Sequence, residues 1–487
     1  MKNHIFPAFL LLAAVMTAAI GCGDSDTGPV DGTAVMTGTT DTTAVTETEN
    51  IYANDLGDYD FGGDVFTMYT RDVLTIHDNM DTEATDGSTI NDELYARNAR
   101  LEEKYNFTFA EVLEENTTDK ARTAVIAGED TYDIITTRCV YAFNYALEGL
   151  LYPVTDLPHI DLSKPYWDEE LTDAVSIGNT RYFAVGAYNL SGYDFTHLLA
   201  FNKEIASHND FDIYSEVRNG TWTYAKMQEM MKAVVSDTDG DGDMDEYDRY
   251  GLLSSSKQIL PNFWIAANET SIDFDANDYP VYSLVSDERF TGIFEKIFDL
   301  VDENDVWYVN NTNQNVPAEQ VTMFINGQSL FIDMGAFYLE DLRTMDTDFG
   351  LIPYPKYDEA QDAYYSRIEG CEQTCIPVTN GTLEMTSVIL EAMASDSAQN
   401  LVPAYYDVLL KGKHTRDNES EEMLEVIFGN RVFDWGDTIW CEQLRDGKFY
   451  PMMYQNKRDL ASTAKSMEKT MTKLINETIE AFEELNK

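Results

Sequence analysis

Tyr132-Asp133-Ile134-Ile135-Thr136 is a nearly unbroken run of β-formers, and its place in the chain decides the fold class. A strand that reads as continuous rather than alternating belongs in a sheet covered on both faces, as parallel strands are. Working outward, Val65-Phe66-Thr67-Met68-Tyr69 and Phe107 to Val112 read as two earlier strands. Between them, Ile90 to Tyr105 puts Ile90, Leu94, Leu101 and Tyr105 near one helical face, with Asn91 as a start signal. Thr118 to Ala127 reads as a second helix, ended by Gly128. Strand, helix, strand, helix, strand predicts an α/β lobe on a largely parallel sheet.

The theme recurs downstream. Thr180 to Val185, Leu198 to Asn202 and Ser329 to Asp333 are predicted strands. Thr223 to Ser236, Asp287 to about Asp302 and Gln320 to Ile325 are predicted helices, the middle one carrying a Phe290, Phe294, Ile297, Val301 stripe. Ser462 to Leu485 reads as a long helix with a polar face. A chain of 487 residues exceeds one ordinary core, so two lobes are expected.

The N-terminus points outside the cytoplasm. Lys2 is followed by an apolar run from Phe6 to Ile20, too short for a membrane span, and then by Gly21-Cys22. The small residues before Cys22 resemble a lipobox, which implies cleavage there and a diacylglycerol anchor on Cys22. Residues 1–21 are thus expected to be a lipoprotein signal peptide and 22–55 a flexible acidic tether, with packing beginning near Phe61-Gly62-Gly63. The protein is expected on the outer side of the cell membrane, held by its lipid.

Charge narrows the partners. With 87 acidic and 33 basic residues the formal net charge is −54. Such a surface repels nucleic acid and anionic membrane, and it suits neutral or cationic ligands. Aromatic residues make up 12% of the chain, which favours a saccharide among those ligands.

Four segments then resemble the bacterial extracellular solute-binding proteins of the family 1 type, the group that includes maltose-binding proteins. Tyr132 to Ile135 with Glu148-Gly149-Leu150-Leu151-Tyr152-Pro153-Val154 is similar to the family's first-lobe strand and the stretch after it. Arg181-Tyr182-Phe183-Ala184-Val185 through Phe201-Asn202-Lys203-Glu204 is similar to its first crossover. Asn219-Gly220-Thr221-Trp222-Thr223 resembles the opening of a second-lobe helix. Phe324 to Phe331 through Gly335, then Phe349-Gly350-Leu351-Ile352-Pro353-Tyr354-Pro355-Lys356, resembles the second crossover.

The resemblance implies a two-lobed α/β fold of the periplasmic-binding-protein-like type II class, with a hinge cleft between the lobes. It implies lobe 1 from 56–190 and about 350–398, and lobe 2 from 191–349 and about 399–487. It further implies a small solute as ligand, ABC transporter permease subunits as partners, and a monomer. Open α/β sheets take ligands beyond their strand ends, so Tyr69, Arg71 and Arg138 are candidate contacts. Tyr188 and Asp194 in the first crossover, and Phe337 and Tyr338 after the 329–333 strand, are further candidates. Trp435 falls roughly where relatives carry a stacking aromatic. For each aromatic, core packing is the competing reading.

One motif is independent of the resemblance. Asp237-Thr238-Asp239-Gly240-Asp241-Gly242-Asp243-Met244-Asp245-Glu246-Tyr247-Asp248 fits a calcium loop, with Asp237, Asp239 and Asp241 at positions 1, 3 and 5 and Gly242 at the turn. Asp243 would offer its carbonyl, Asp245 position 9, and Asp248 position 12, where Glu is usual. A structural Ca2+ is expected, and no catalytic cofactor. A solvated acidic turn is the alternative.

Cys139, Cys371, Cys375 and Cys441 either pair, with Cys371–Cys375 close enough in sequence for a local bridge, or remain buried thiols. No G-x-S-x-G, H-E-x-x-H or G-x-x-x-x-G-K-[ST] motif occurs. A binding protein is therefore expected. A surface carbohydrate-active enzyme built on a carboxylate pair, or an adhesion lipoprotein, is the alternative.

Overall fold

The computed structural model describes residues 50–73, 77, 79–177, 180–301, 307–310, 318–410 and 418–485. The signal segment, Cys22 and most of the expected tether lie outside them. In the first half of the chain the strands are β1 (Asp64–Asp72), β2 (Phe107–Glu115), β3 (Ile134–Arg138), β4 (Leu151–Tyr152), β5 (Phe183–Ala184) and β6 (His197–Asn202). Then follow β7 (Tyr250–Ser255), β8 (Asp273–Phe274), β9 (Pro280–Val281), β10 (Trp307–Asn310) and β11 (Ser329–Gly335). The last are β12 (Phe349–Ile352), β13 (Ser366–Arg367), β14 (Glu372–Pro377) and β15 (Arg431–Val432).

Two larger sheets result. The first runs β2-β1-β3-β14-β4, with β5 also on β14. Its β1 is parallel to β2 and β3, with Tyr69 opposite Ile135, and β14 is antiparallel to β3, β4 and β5. The second runs β10-β7-β11-β6-β12, parallel except for β6. Every residue of β6, β7, β11 and β14 is buried, as strands covered on both faces require.

Helices form where an apolar stripe and a cap coincide. The Glu288–Val301 helix buries Phe290, Ile293, Phe294, Ile297 and Phe298, and the Phe290 N–H donates to Asp287 Oδ1 at 2.8 Å. Thr223 caps the Tyr224–Val234 helix through Oγ1, accepting from the Lys226 N–H at 3.3 Å. The Thr89–Tyr105 helix is capped by Ser88, whose Oγ accepts from the Asn91 N–H; Asn91 itself is already inside the first turn. No helix among the described residues is long and apolar enough to cross a membrane.

Several segments depart from the sequence reading. The expected strand over 180–185 shrinks to β5, because only Phe183 and Ala184 find a partner on β14 before the chain leaves the sheet. The chain is packed from residue 50 rather than from Phe61. Asn50 Nδ2 donates to Gln399 Oε1 at 2.7 Å, and Ser395 Oγ donates to the Tyr52 carbonyl at 2.7 Å. β12 belongs to the second sheet and β14 to the first, so the chain passes between sheets after Ile352. The Leu460–Leu485 helix sets Phe482 against Phe143 and Tyr182, at 5.5 and 5.6 Å between ring centroids. It therefore touches elements of the first sheet as well as the Glu288–Val301 helix.

One apolar cluster takes in Tyr69 and Ile135 of the first sheet together with Leu198, Leu253 and Phe331 of the second. A separate cluster on the other face of the first sheet gathers Phe66, Met68 and Ile134 with Val388 and Ile389. Within the larger cluster sits a buried carboxylate, Asp434. It accepts from the Ser271 N–H and Oγ at 2.9 Å each, from Trp264 Nε1 at 3.0 Å and from the Gly436 N–H at 3.0 Å.

Burial lifts the Asp434 carboxyl to about 6 in spite of these donors. Between its unfolded and folded values the native state holds a proton that the unfolded chain has lost. The contribution is therefore complete at low pH and disappears as pH rises through about 6. From pH 4 to pH 7 the parent should lose about 2–3 kcal/mol relative to Asp434→Asn in paired urea melts. A pH-independent difference would show the carboxyl ionised throughout.

Candidate functional site

Three extended segments tie the two sheets together. Thr196, just before β6, pairs with Ile368, and the Glu369 N–H donates to the Phe195 carbonyl at 3.0 Å. β13 runs parallel to β15, and the Ile368 N–H donates to the Val432 carbonyl at 3.1 Å. The segments come from 195–196, 366–369 and 431–432; the first leads into β6 opposite Gly335 and the second into β14 opposite Arg138, at carboxyl ends of parallel strands. Those ends are Arg71 and Arg138 in the first sheet, and Ser255 and Gly335 in the second. This is where open α/β sheets present their side chains to a ligand.

A buried charged network fills the junction. Arg367, fully enclosed, holds Asp437 through Nε and Nη2, the latter at 2.8 Å from Oδ1, and reaches Gln258 and Asn262 through Nη1. Arg445 Nη1 donates to Glu369 Oε1 at 3.2 Å and to the Asp437 carbonyl at 2.8 Å. Gln258 Nε2 donates to Glu369 Oε2 at 3.2 Å, and His197 Nε2 lies 3.3 Å from the same oxygen. Burial alone would raise the Glu369 carboxyl, but Arg367, His197 and Arg445 together hold it well below the usual carboxylate range. Alongside, Asp333 accepts from Asn262 Nδ2 at 2.8 Å and from the Tyr354 hydroxyl.

The residues expected at the site separate into four groups. Arg71 and Arg138 lie beside one carboxylate, Glu372. Arg71 pairs with it through Nε at 3.1 Å and through Nη2, while Arg138 acts on it at longer range. Asp194 is buried, accepting from the His77 N–H at 2.6 Å and from the Tyr405 hydroxyl at 2.7 Å. Phe337 and Tyr338 are half-buried, with ring centroids 4.0 Å apart and planes inclined at 35°, next to Gly335.

The remaining three are packing residues. The Tyr69 hydroxyl donates to Glu114 Oε2 at 2.9 Å and its ring meets Tyr132 at 4.7 Å. Tyr188 packs on Trp167 and donates to Thr374 Oγ1 at 2.9 Å. Trp435 is wholly buried between Phe143 and Trp440, at 4.9 and 5.0 Å, with its Nε1 on the Ala174 carbonyl. An indole with its N–H satisfied inside the protein has no face left for a solute.

A cavity of about 510 Å3 opens elsewhere, between the start of the Thr89–Tyr105 helix and the 336–344 turn, with His77, Tyr188 and Arg343 on its wall. Its wall carries the exposed Arg343–Glu340 pair and His77, whose Nδ1 lies 3.1 Å from Asp194 Oδ2. The candidate site is placed at the strand ends instead, because the buried charges converge there.

The acidic loop gathers three of its six predicted ligands. Asp237, Asp239 and Asp248 each bring a carboxylate oxygen within 4.8 Å of the others. Asp248, fully buried, accepts from the Thr238 N–H at 2.6 Å and the Asp245 N–H at 2.9 Å, which hold its carboxyl below the usual range. Asp241 and Asp245 accept from the Asp243 and Tyr247 N–H groups, and Asp243 is exposed. Oxygen donors at this spacing suit a hard divalent cation.

The four cysteines are free and buried. Cys375 lies on β14 with Cys371 just before it, and four residues of extended chain span roughly 13 Å, well beyond disulfide reach. Burial pushes the Cys139 thiol up to about 12, so it is inert.

The site residues that sequence reading passed over are Glu369, Arg367, Gln258, Asp437 and Arg445. Arg367 and Glu369 are two apart in an extended segment, a spacing that puts both charges on one face. That signal was available; the late partners Asp437 and Arg445 had none.

No family model matches the chain, and no curated protein matches it in sequence. Solved structures do match. An ABC substrate-binding protein from Listeria monocytogenes in complex with cycloalternan aligns with TM-score 0.54 and 12% identity, over 85% of this chain and 99% of that one. A cyclo/maltodextrin-binding protein complexed with maltotetraose gives 0.57 and 13%, over 87% and 97%. A sugar transporter from Rhizobium etli in an open conformation gives 0.57 and 13%, over 86% and 99%. At such identity these likenesses establish the fold: it is the two-lobed periplasmic-binding-protein-like fold.

Removing the Glu369 carboxylate leaves Arg445 and Arg367 facing each other without it. Glu369→Leu should therefore cost about 3–5 kcal/mol in chemical unfolding. A cost below about 1 kcal/mol would mean that water enters the junction and screens the charges.

Proposed function

We propose that this chain is the extracytoplasmic solute-binding component of an ABC importer, capturing a sugar or oligosaccharide by closing its two lobes and releasing it unchanged. The observation that carries this reading is the three-segment ribbon at 195–196, 366–369 and 431–432, toward which the ligand-presenting strand ends of both sheets lead. Structures of the same fold that hold cycloalternan or maltotetraose support the choice of solute class.

A few extended residues can absorb the backbone rotation of a hinge while the sheets stay rigid. Solute then shifts an open–closed equilibrium by as much as it binds the closed form more tightly. The permease subunits would read the closed pair of lobes on one chain, which fits a monomer. Cys22 would carry the lipid that holds the protein at the outer membrane face, with residues 22–49 as the spacer.

The loop Asp237–Asp248 is assigned a structural Ca2+. Asp237, Asp239 and Asp248 would ligate it, and the ion would offset the mutual repulsion of carboxylates held this close. Its role is to fix the turn between the Tyr224–Val234 helix and β7.

Two measurements test this. A cognate saccharide at 100 times its Kd should stabilise the protein by about 2.7 kcal/mol in thermal melts and be recovered chemically intact. Conversion of the saccharide would replace this reading with an enzyme. Calcium should raise the Tm of the parent, and Asp239→Ala, at an exposed position, should abolish most of the rise; a parent indifferent to calcium ends the metal assignment.

A further inference from the structure

Two cations at the facing strand ends have no acid of their own. Arg138 ends β3 in the first sheet, and Lys257 lies two residues beyond β7 in the second. Both are half-buried. Neither has a carboxylate within 4.0 Å or a hydrogen-bond partner among the described residues. The acids around them are already engaged, since Glu369 serves Arg445 and His197, and Asp437 serves Arg367 and Arg445.

Both cations lie within electrostatic reach of the same two groups, Glu369 and Arg445. Arg138 Nε lies 3.8 Å from the position a Cβ would take on Gly370, and Gln258, next to Lys257, donates to Glu369. A third group is also unsatisfied: Ser255 Oγ, buried at the end of β7, has no hydrogen-bond partner. Burial and the neighbouring Arg445 charge push the Lys257 ammonium below its ordinary value.

Partly burying an unpaired cation is costly, and doing so twice at one place calls for a compensating anion. The carboxylates nearby, Glu369, Glu372 and Asp446, act on these two cations only at longer range, because each is bonded to another arginine. Resting on the solute-binding reading above, we propose that the solute is an anionic saccharide whose carboxylate or sulfate group is held between Arg138 and Lys257.

The chemistry of the two donors is complementary. The guanidinium fork meets two oxygens of one anion, and the ammonium meets it as a point charge. Ser255 adds a hydroxyl donor. Because Arg138 belongs to the first sheet and Lys257 to the second, an anion between them attracts both lobes and favours the closed form. A neutral sugar offers no such bridge. At physiological salt the repulsion from the acidic outer surface is screened within about 8 Å, so these two near charges dominate at the site.

The test is calorimetric titration with matched pairs: uronate-bearing oligosaccharides against their methyl esters, and sulfated oligosaccharides against their desulfated forms. The full-length protein should bind a charged member about tenfold or more tightly than its neutral twin. The uronate and sulfate arms tell which group is held. Arg138→Gln and Lys257→Gln should each weaken the charged member about tenfold more than the neutral twin. Lys257→Arg should retain most of the affinity, which separates charge from packing. Neutral members binding as well as charged ones, with both Gln variants unaffected, would overturn the anion inference while leaving solute binding intact. Failure of every saccharide, charged and neutral, would remove both.

Discussion

The pairing of three short extended segments, 195–196, 366–369 and 431–432, is the constraint on which the rest of the structure depends. Each brings a different part of the chain to one line between the sheets. Because β14 returns to the first sheet after β12 has completed the second, the chain must cross back here. The crossing strands satisfy each other's backbone groups, as buried backbone must be satisfied. They also carry Arg367 and Glu369 into the junction, and the charged network is assembled around those two side chains.

That network brings basic and acidic groups close to balance, with Asp446 and Asp333 among the acids. Outside, acidic residues outnumber basic ones by more than two to one. Inside the junction, Arg71, Arg138, Lys257, Arg367 and Arg445 converge on Glu369, Glu372 and Asp437. Net charge governs solubility and long-range encounter, whereas a half-buried site answers to its nearest groups. A preference for neutral or cationic ligands, read from composition, therefore speaks for the surface and not for the cleft.

Aromatic residues show the same gap between composition and placement. Trp435, Tyr188 and Tyr69 were reasonable stacking platforms by type and position. Each proves to have its polar atom satisfied within the protein and its ring packed on other rings. Only Phe337 and Tyr338 keep partial exposure. A large ring contributes to a core as readily as to a ligand face, and residue type does not distinguish the two uses.

The sequence by itself determined the elements and the fold class. β1, β2, β3, β6 and β11, and the helices at Thr89–Tyr105, Glu288–Val301 and Leu460–Leu485, were legible because period and capping are local properties. The clustering of Asp237, Asp239 and Asp248 was legible for the same reason, since they lie within twelve residues. Tertiary structure alone decided which charges meet. Arg367 finds Asp437 across 70 residues and Arg71 finds Glu372 across 301. It also decided that the four cysteines stay apart and that Arg138 and Lys257 have no directly bonded acid among the described residues. Such pairings depend on which strand ends the crossovers bring together, and no local pattern encodes that distance.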